Sequence, residues 1–214
     1  MSEAIVYGAA YSVYVRIVRL ALAEKGAPYR FVEVDIFADG GPPADYAQRH
    51  PFLRIPAFEH DGFRLFETGA IARYIDEAFP GSSLMPADAK RRARANQVIS
   101  IVDNYAYPAM VWGVFVEGVR APAQGRSGDA AKIADALEKS AACLDSIETI
   151  ADPYGPAMVS GAISLADLYL APVMRYFTCY AEGKAMLHDR KRLARWWGWM
   201  QQRASMAATT SPIE

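Results

Sequence analysis

The chain has few of the residues that build metal centres and disulfide frameworks. Of its 214 residues, two are cysteine and three are histidine. Cys143 and Cys179 lie far apart in helical, apolar contexts, so no disulfide scaffold is expected and a reducing compartment fits. His50, His60 and His188 show no ligand spacing with one another or with cysteine, so no bound metal is expected. Charge of one sign is also scarce. A net charge of −1 leaves no global field to draw nucleic acid or an anionic membrane. The densest basic run, Lys90-Arg91-Arg92-Ala93-Arg94, reads as the solvated face of a starting helix. No apolar run reaches about 18 residues, so no membrane span is expected. Met1-Ser2-Glu3-Ala4 lacks the basic region and apolar core of a secretory leader, and a cytoplasmic location follows as the expectation.

What the chain does have is enough to fold. It is 52% hydrophobic, which can build a core, and 22% charge excludes a disordered chain. Ala4 to Gly8 reads as a buried strand. Val13 to Lys25 reads as a helix with Ile17, Leu20, Ala21 and Glu24 at helical spacing, closed by Gly26 and Pro28. Tyr29 to Asp35 reads as a second strand, parallel to the first through a right-handed helical crossover. Residues 36–50 are irregular. Ala57 to His60 and Phe63 to Phe66 flank Asp61-Gly62, a hairpin signal. Ala70 to Ala78 then reads as a helix. This β-α-β then β-β-α order within about 80 residues is that of a thioredoxin-type domain.

Pro80 to Pro86 is the linker candidate, and the pattern beyond it is helical only. The expected division is a domain over 1–80, a linker over 81–88 and an all-α domain over 89–214. Within the last, Ala89 to about Val116 reads as a long amphipathic helix with a kink at Pro108. Gly125 to Gly128 breaks the chain, and Asp152 to Gly161 reads as a loop. Ala130 to Ile150, Leu165 to Tyr180 and Arg190 to Arg203 read as helices. Ser164-Leu165-Ala166-Asp167 is a capping box.

Three places carry polar chemistry. Pro56 opens a strand. In trans it harmlessly lacks an N–H there. In cis it would turn the Ile55 N–H and C=O toward an extended peptide. Glu67-Thr68 stands at a strand-to-helix junction. Thr68 fits an N-cap, with Glu67 favoured by the helix dipole. The same geometry would hold the carboxylate and ammonium of an amino-acid head group. Ser12 fits an N-cap of the first helix, and no neighbouring histidine or acid makes it a hydrolase nucleophile. Its hydroxyl, or the rival phenol of Tyr11, can instead donate to a bound thiolate. Lowering a thiol pKa of about 8.5 by about two units needs roughly 2.7 kcal/mol. A hydrogen bond to a charged group contributes about 1.5–3 kcal/mol, against about 0.3–1 from a helix terminus, so the hydroxyl is the larger lever. Tyr46 and Arg54 lie where a second carboxylate could be held, although Arg54 also reads as a surface charge. Phe52 is either core or a protrusion into a partner. Tyr105 to Trp112 reads by default as helix core. If it faces a cleft, it could receive an apolar co-substrate.

Taken together, Tyr7-Gly8-Ala9-Ala10-Tyr11-Ser12, Leu22-Ala23-Glu24-Lys25-Gly26, Pro51-Phe52 through Ile55-Pro56, Glu67 through Ile75 and the Ser164–Asp167 box resemble the cytosolic glutathione transferases. The pattern is that of the serine-type, phi-like and bacterial members. The resemblance implies an α+β thioredoxin-like domain holding glutathione, followed by an all-α helical domain that shapes the pocket for a small apolar electrophile. It implies a detoxifying conjugation in a homodimer, with Phe52 at the interface and no metal. It places Ser12 (or Tyr11) at the thiolate and Ile55 and Pro56 beside the cysteinyl backbone. Tyr46 and Arg54 fall toward the glycyl end, and Glu67 and Thr68 at the γ-glutamyl end. Tyr107, Pro108, Val111 and Trp112 line the electrophile pocket. Departures from the family pattern are Thr68 for serine, Gly69 for arginine, Tyr46 for histidine and Leu53 for glycine. No cysteine stands at positions 11–12, which disfavours the thiol-exchange subclasses. A glutathione-dependent isomerase, dehalogenase or peroxidase, or a non-catalytic ligand-binding dimer, remains the alternative.

Overall fold

The computed structural model describes residues 3–159, 161–211 and 213, so expectations touching Met1, Ser2, Ser160, Pro212 and Glu214 lie outside the described residues. The chain forms two compact units. One runs to Leu84 and takes in Ala204–Ile213, and the other is Met85–Arg203. The sequence-based division differs at the C-terminus, because it left residues 204–213 with the helical domain.

The first unit is a four-stranded sheet in the order β2-β1-β3-β4. β1 (Ala4–Gly8) pairs parallel with β2 (Tyr29–Glu33) across α1 (Val13–Glu24), and antiparallel with β3 (Ala57–His60). β3 turns through Asp61-Gly62 into β4 (Phe63–Phe66), and α2 (Thr68–Ala78) follows. β1 is central and buried on both faces, as its unbroken apolar run requires. Alternate residues divide between the faces. Tyr7, Val34, Ala57 and the buried Tyr46 form one cluster, with Ile5, Val32 and Ile55 packed against it. Ile17, Leu20, Ile71 and Ile75, on helices α1 and α2, are fully buried.

Two ties close this unit. Lys25 Nζ reaches Asp76 Oδ1 at 3.2 Å and the Ser82 carbonyl at 3.1 Å, joining the end of α1 to α2 and the chain after it. Arg16, on the buried side of α1, donates to the Met206 carbonyl at 3.1 Å and to Thr209 Oγ1 at 3.3 Å. Those bonds explain why α9 (Ala204–Ala208) joins this unit. A buried guanidinium needs acceptors, and the last residues supply them.

The second unit is helical. α3 (Ala89–Ile101) is capped by Asp88, whose carboxylate accepts from the Arg91 N–H. The backbone then runs on with the wider π winding over Val102–Arg120 and ends in α4 (Ala121–Ala123). The helix thus passes the expected end near Val116, and Pro108 lies inside the wide segment. α5 (Ala130–Ile150) is capped by Asp129. α6 (Leu165–Phe177) is buried almost throughout and carries the expected capping box. The Asp167 carboxylate, fully buried, accepts from the N–H and O–H of Ser164, the Met158 N–H and Trp196 Nε1 at 2.7–2.9 Å. α7 (Ala181–Ala185) and α8 (Lys191–Gln201) complete the unit. No helix among the described residues is long and apolar enough to cross a membrane.

Candidate functional site

Strand directions bring the first unit's polar residues to one end of the sheet. β1 ends at Gly8, and Tyr7 lies opposite Ala57, the first residue of β3. Ala57 in turn lies opposite Phe66, the last residue of β4. The loop after β1, the entry to β3 and the exit of β4 therefore share an edge. They carry Tyr11 and Ser12, Ile55 and Pro56, and Glu67 and Thr68. Gly8 leaves little room between α1 and the entry to β3. A Cβ there would lie 2.4 Å from Val15 Cγ2 and 3.3 Å from Ile55 Cβ.

The two hydroxyl candidates differ in what they already hold. Ser12 is the N-cap of α1, and its Oγ accepts weakly from the Val15 N–H at 3.4 Å. No acceptor for its own proton is found among the described residues. The Tyr11 phenol donates to Asp35 Oδ1, just beyond β2, at 2.5 Å. Asp35 also accepts from the Phe37 N–H at 2.8 Å.

The Ile55–Pro56 bond is cis. No hydrogen bond to the Ile55 N–H or C=O is found among the described residues. Tyr46 is 1% exposed and donates its phenol to the Arg54 carbonyl at 2.8 Å; burial pushes its pKa up to about 12. It lies in a short 3-10 turn, Tyr46–Gln48, and fixes the backbone before Ile55. The Arg54 side chain is exposed.

At the exit of β4 the capping differs from the sequence reading. Glu67 is the residue before the helix, at φ +69, and Thr68 is the first helical residue. No side chain caps α2. The N–H groups of Thr68 and Gly69, the Thr68 hydroxyl and the exposed Glu67 carboxylate make no hydrogen bonds among the described residues. A non-glycine residue held at positive φ costs about 1–3 kcal/mol and recurs at ligand sites.

The sequence reading overlooked His50 as a neighbour of this edge. It is 2% exposed, packs 5.0 Å from the Phe66 ring and feels both Glu67 and Arg54. Burial first pushes its pKa down; Glu67 opposes that shift and Arg54 adds to it. Its only sequence signal is its place just before Pro51-Phe52. Phe52 is 68% exposed, at the edge of a ring cluster with His50 and Phe66.

In the second unit, Tyr107, Pro108, Val111 and Trp112 lie on the π-wound segment. Val111 is buried within the unit, and Trp112 is 41% exposed. A groove of about 510 Å³ between this segment and α5 takes Pro108 of the four, with Ala109, Ala136 and Cys143.

Comparison with known proteins agrees with this geometry. Residues 2–77 match the family described as glutathione S-transferase, N-terminal domain. Glutathione S-transferase F13 of Arabidopsis thaliana is 29% identical over 197 residues, 89% of this chain and 87% of the relative. Among solved structures, glutathione S-transferase III in its apo form has a TM-score of 0.85 at 26% identity, covering 99% of this chain and 97% of the other. Glutathione transferase F7 from Populus trichocarpa has 0.82 at 27%, covering 96% and 97%.

Proposed function

We infer that the chain is a glutathione transferase, serine-type and phi-like in subclass, which conjugates glutathione to small apolar electrophiles. One observation carries this reading: a single end of the sheet gathers donors and acceptors left without protein partners. They suit an extended zwitterionic peptide. The exposed Glu67 carboxylate faces the γ-glutamyl ammonium, and the Thr68 hydroxyl and first N–H groups of α2 hold the adjacent carboxylate. The Ile55 main chain pairs with the cysteinyl backbone. Arg54 approaches the glycyl carboxylate, and Tyr46, bonded to the Arg54 carbonyl, acts as a positioning residue.

Ser12 is the thiolate donor. Its proton has no acceptor among the described residues, whereas the Tyr11 phenol is engaged by Asp35. By donating to the sulfur, Ser12 favours the anion over the thiol. The thiolate then forms the S–C bond, and the electrophile's leaving group departs with the electron pair. Catalysis is thus activation and positioning of a bound nucleophile. Tyr107, Pro108 and Trp112 offer apolar surface to the electrophile, whereas Val111 is buried within the unit. The two unpaired cysteines, Cys143 and Cys179, support a cytoplasmic location. The exposed Phe52 supports a homodimer with Phe52 at its interface.

The test is conjugation to a generic aryl halide. Ser12→Ala is expected to lower kcat/KM at neutral pH by about 10–100-fold, the value of a hydrogen bond to a charged group, and to raise the pKa of the bound thiol. Tyr11→Phe is expected to leave both near wild type. Undiminished turnover in Ser12→Ala rejects the assignment, and loss in Tyr11→Phe transfers it.

A further inference from the structure

His50 is 2% exposed, and its buried Nδ1 has no hydrogen-bond partner among the described residues. The main chain around it is engaged instead. Its N–H donates to the Tyr46 carbonyl at 3.0 Å, and its carbonyl accepts from the Leu53 N–H at 2.9 Å. The backbone thus fixes where the ring stands, edge-on to Phe52 at 6.2 Å and tilted against Phe66 at 5.0 Å. His60, the other buried histidine among the described residues, differs, because its Nδ1 meets the Tyr74 hydroxyl at 2.9 Å. A buried polar atom without a partner costs stability. An apolar ring at position 50 would pack against the same two rings and avoid that cost, so packing does not account for an imidazole.

The ring stands at the edge that gathers Ile55, Pro56, Glu67 and Thr68. Phe66, against which it packs, ends β4, and Glu67 follows it. The charges of Glu67 and Arg54 both act on the imidazole, Glu67 the more strongly. On the turn that carries His50, Arg49 and Asp45 pair with each other at 2.9 Å. Phe52 and Phe66 carry no charge. Burial is the largest influence and pushes the His50 pKa below its ordinary value of about 6.5. The ring is therefore neutral at neutral pH and charges only in mild acid. A charged ring would be a second cation acting on the Glu67 carboxylate.

We propose that His50 is a positioning residue for the γ-glutamyl end of glutathione: as a neutral ring it leaves the Glu67 carboxylate to the peptide's ammonium, and as a cation it competes with that ammonium. This role rests on the glutathione reading above, and His50 acts through Glu67. Two cations at one carboxylate oppose each other, and by linkage the opposition is reciprocal. Bound glutathione lowers the proton affinity of His50 by the same factor by which a proton on His50 weakens glutathione. Binding in mild acid therefore releases a proton from the imidazole to solvent. At neutral pH the ring is already neutral, and it releases none.

The experiment is calorimetry of S-methylglutathione binding to the full chain at about pH 5.5 and about pH 7.0. Two buffers of different ionisation enthalpy read the protons released, and the methyl group removes the thiol from the titration. The comparison ligand is the same peptide with glutaryl in place of γ-glutamyl, which lacks the ammonium and keeps both carboxylates. S-methylglutathione is expected to bind about threefold to fivefold more weakly at the lower pH and to release protons only there. The glutaryl peptide is expected to do neither, and His50→Asn is expected to abolish both effects. Release by both peptides, release that persists in His50→Asn, or an affinity independent of pH overturns the role of His50 and leaves the glutathione reading standing. Absence of saturable S-methylglutathione binding at either pH overturns both. Where one arm cannot be read, because the glutaryl peptide binds too weakly or the variant folds poorly, the other decides.

Discussion

Leu53 occupies a backbone conformation that suits glycine, at φ +51. Its side chain is 45% exposed, so it recovers little by burial. The left-handed conformation costs about 1–2 kcal/mol for a residue with a Cβ, while glycine loses about 0.5–1 kcal/mol more entropy on folding. Leu53→Gly is therefore expected to raise stability slightly, by about 0.5 kcal/mol, in urea unfolding. A loss would mean that the covered part of Leu53 contributes more than its backbone conformation costs. Single residues also separate the two hydroxyls. Tyr11 and Ser12 are adjacent in sequence, Ser12 the candidate donor and Tyr11 its rival, and contact with Asp35 engages the Tyr11 phenol.

Among the elements, the sheet shows how one carboxylate links three strands. Glu59 on β3 accepts from the Tyr7 phenol of β1 at 2.6 Å and pairs with Arg64 of β4. The hydrogen bond from Tyr7, then those from Arg64 and the nearby cations, holds the Glu59 carboxyl below its ordinary value. A depressed carboxylate contributes stability that is present above the unfolded pKa of about 4.3 and lost as pH falls through the folded one. Glu59→Gln is expected to flatten the acid limb of stability between about pH 5 and pH 3 while leaving the slope near neutrality unchanged. Thermal unfolding across that range checks it. Helix starts were less legible than helices. The Ser164–Asp167 box read correctly because its signal is local. At 67–68 the same reasoning placed the cap one residue late, since residue type does not reveal that Glu67 takes a positive φ.

For the whole molecule, the question is what covers Phe52. A largely exposed phenylalanine beside two other rings is a poor surface for a monomer. If it anchors a second copy, removing it should cost about 2 kcal/mol or more of association, as aromatic hot spots do. Phe52→Ser is then expected to shift the chain from twice its mass toward the single mass in sedimentation at micromolar concentration. An unchanged dimer would move the interface elsewhere, and a monomeric wild type would remove it.

Periodicity and punctuation by themselves determined much of this protein. The hairpin strands Ala57–His60 and Phe63–Phe66 and the helix Ala130–Ile150 match their sequence-based bounds, because alternation, Asp-Gly and an N-terminal aspartate act within a few residues. Tertiary structure decided what depends on distant partners. Arg16 draws residues 204–213 into the first unit through acceptors almost two hundred positions away. Tyr46 turns inward to the Arg54 carbonyl, and His50 is buried beside Glu67. A polar side chain follows the partner that satisfies it once water is excluded, and spacing along the chain carries no record of that partner.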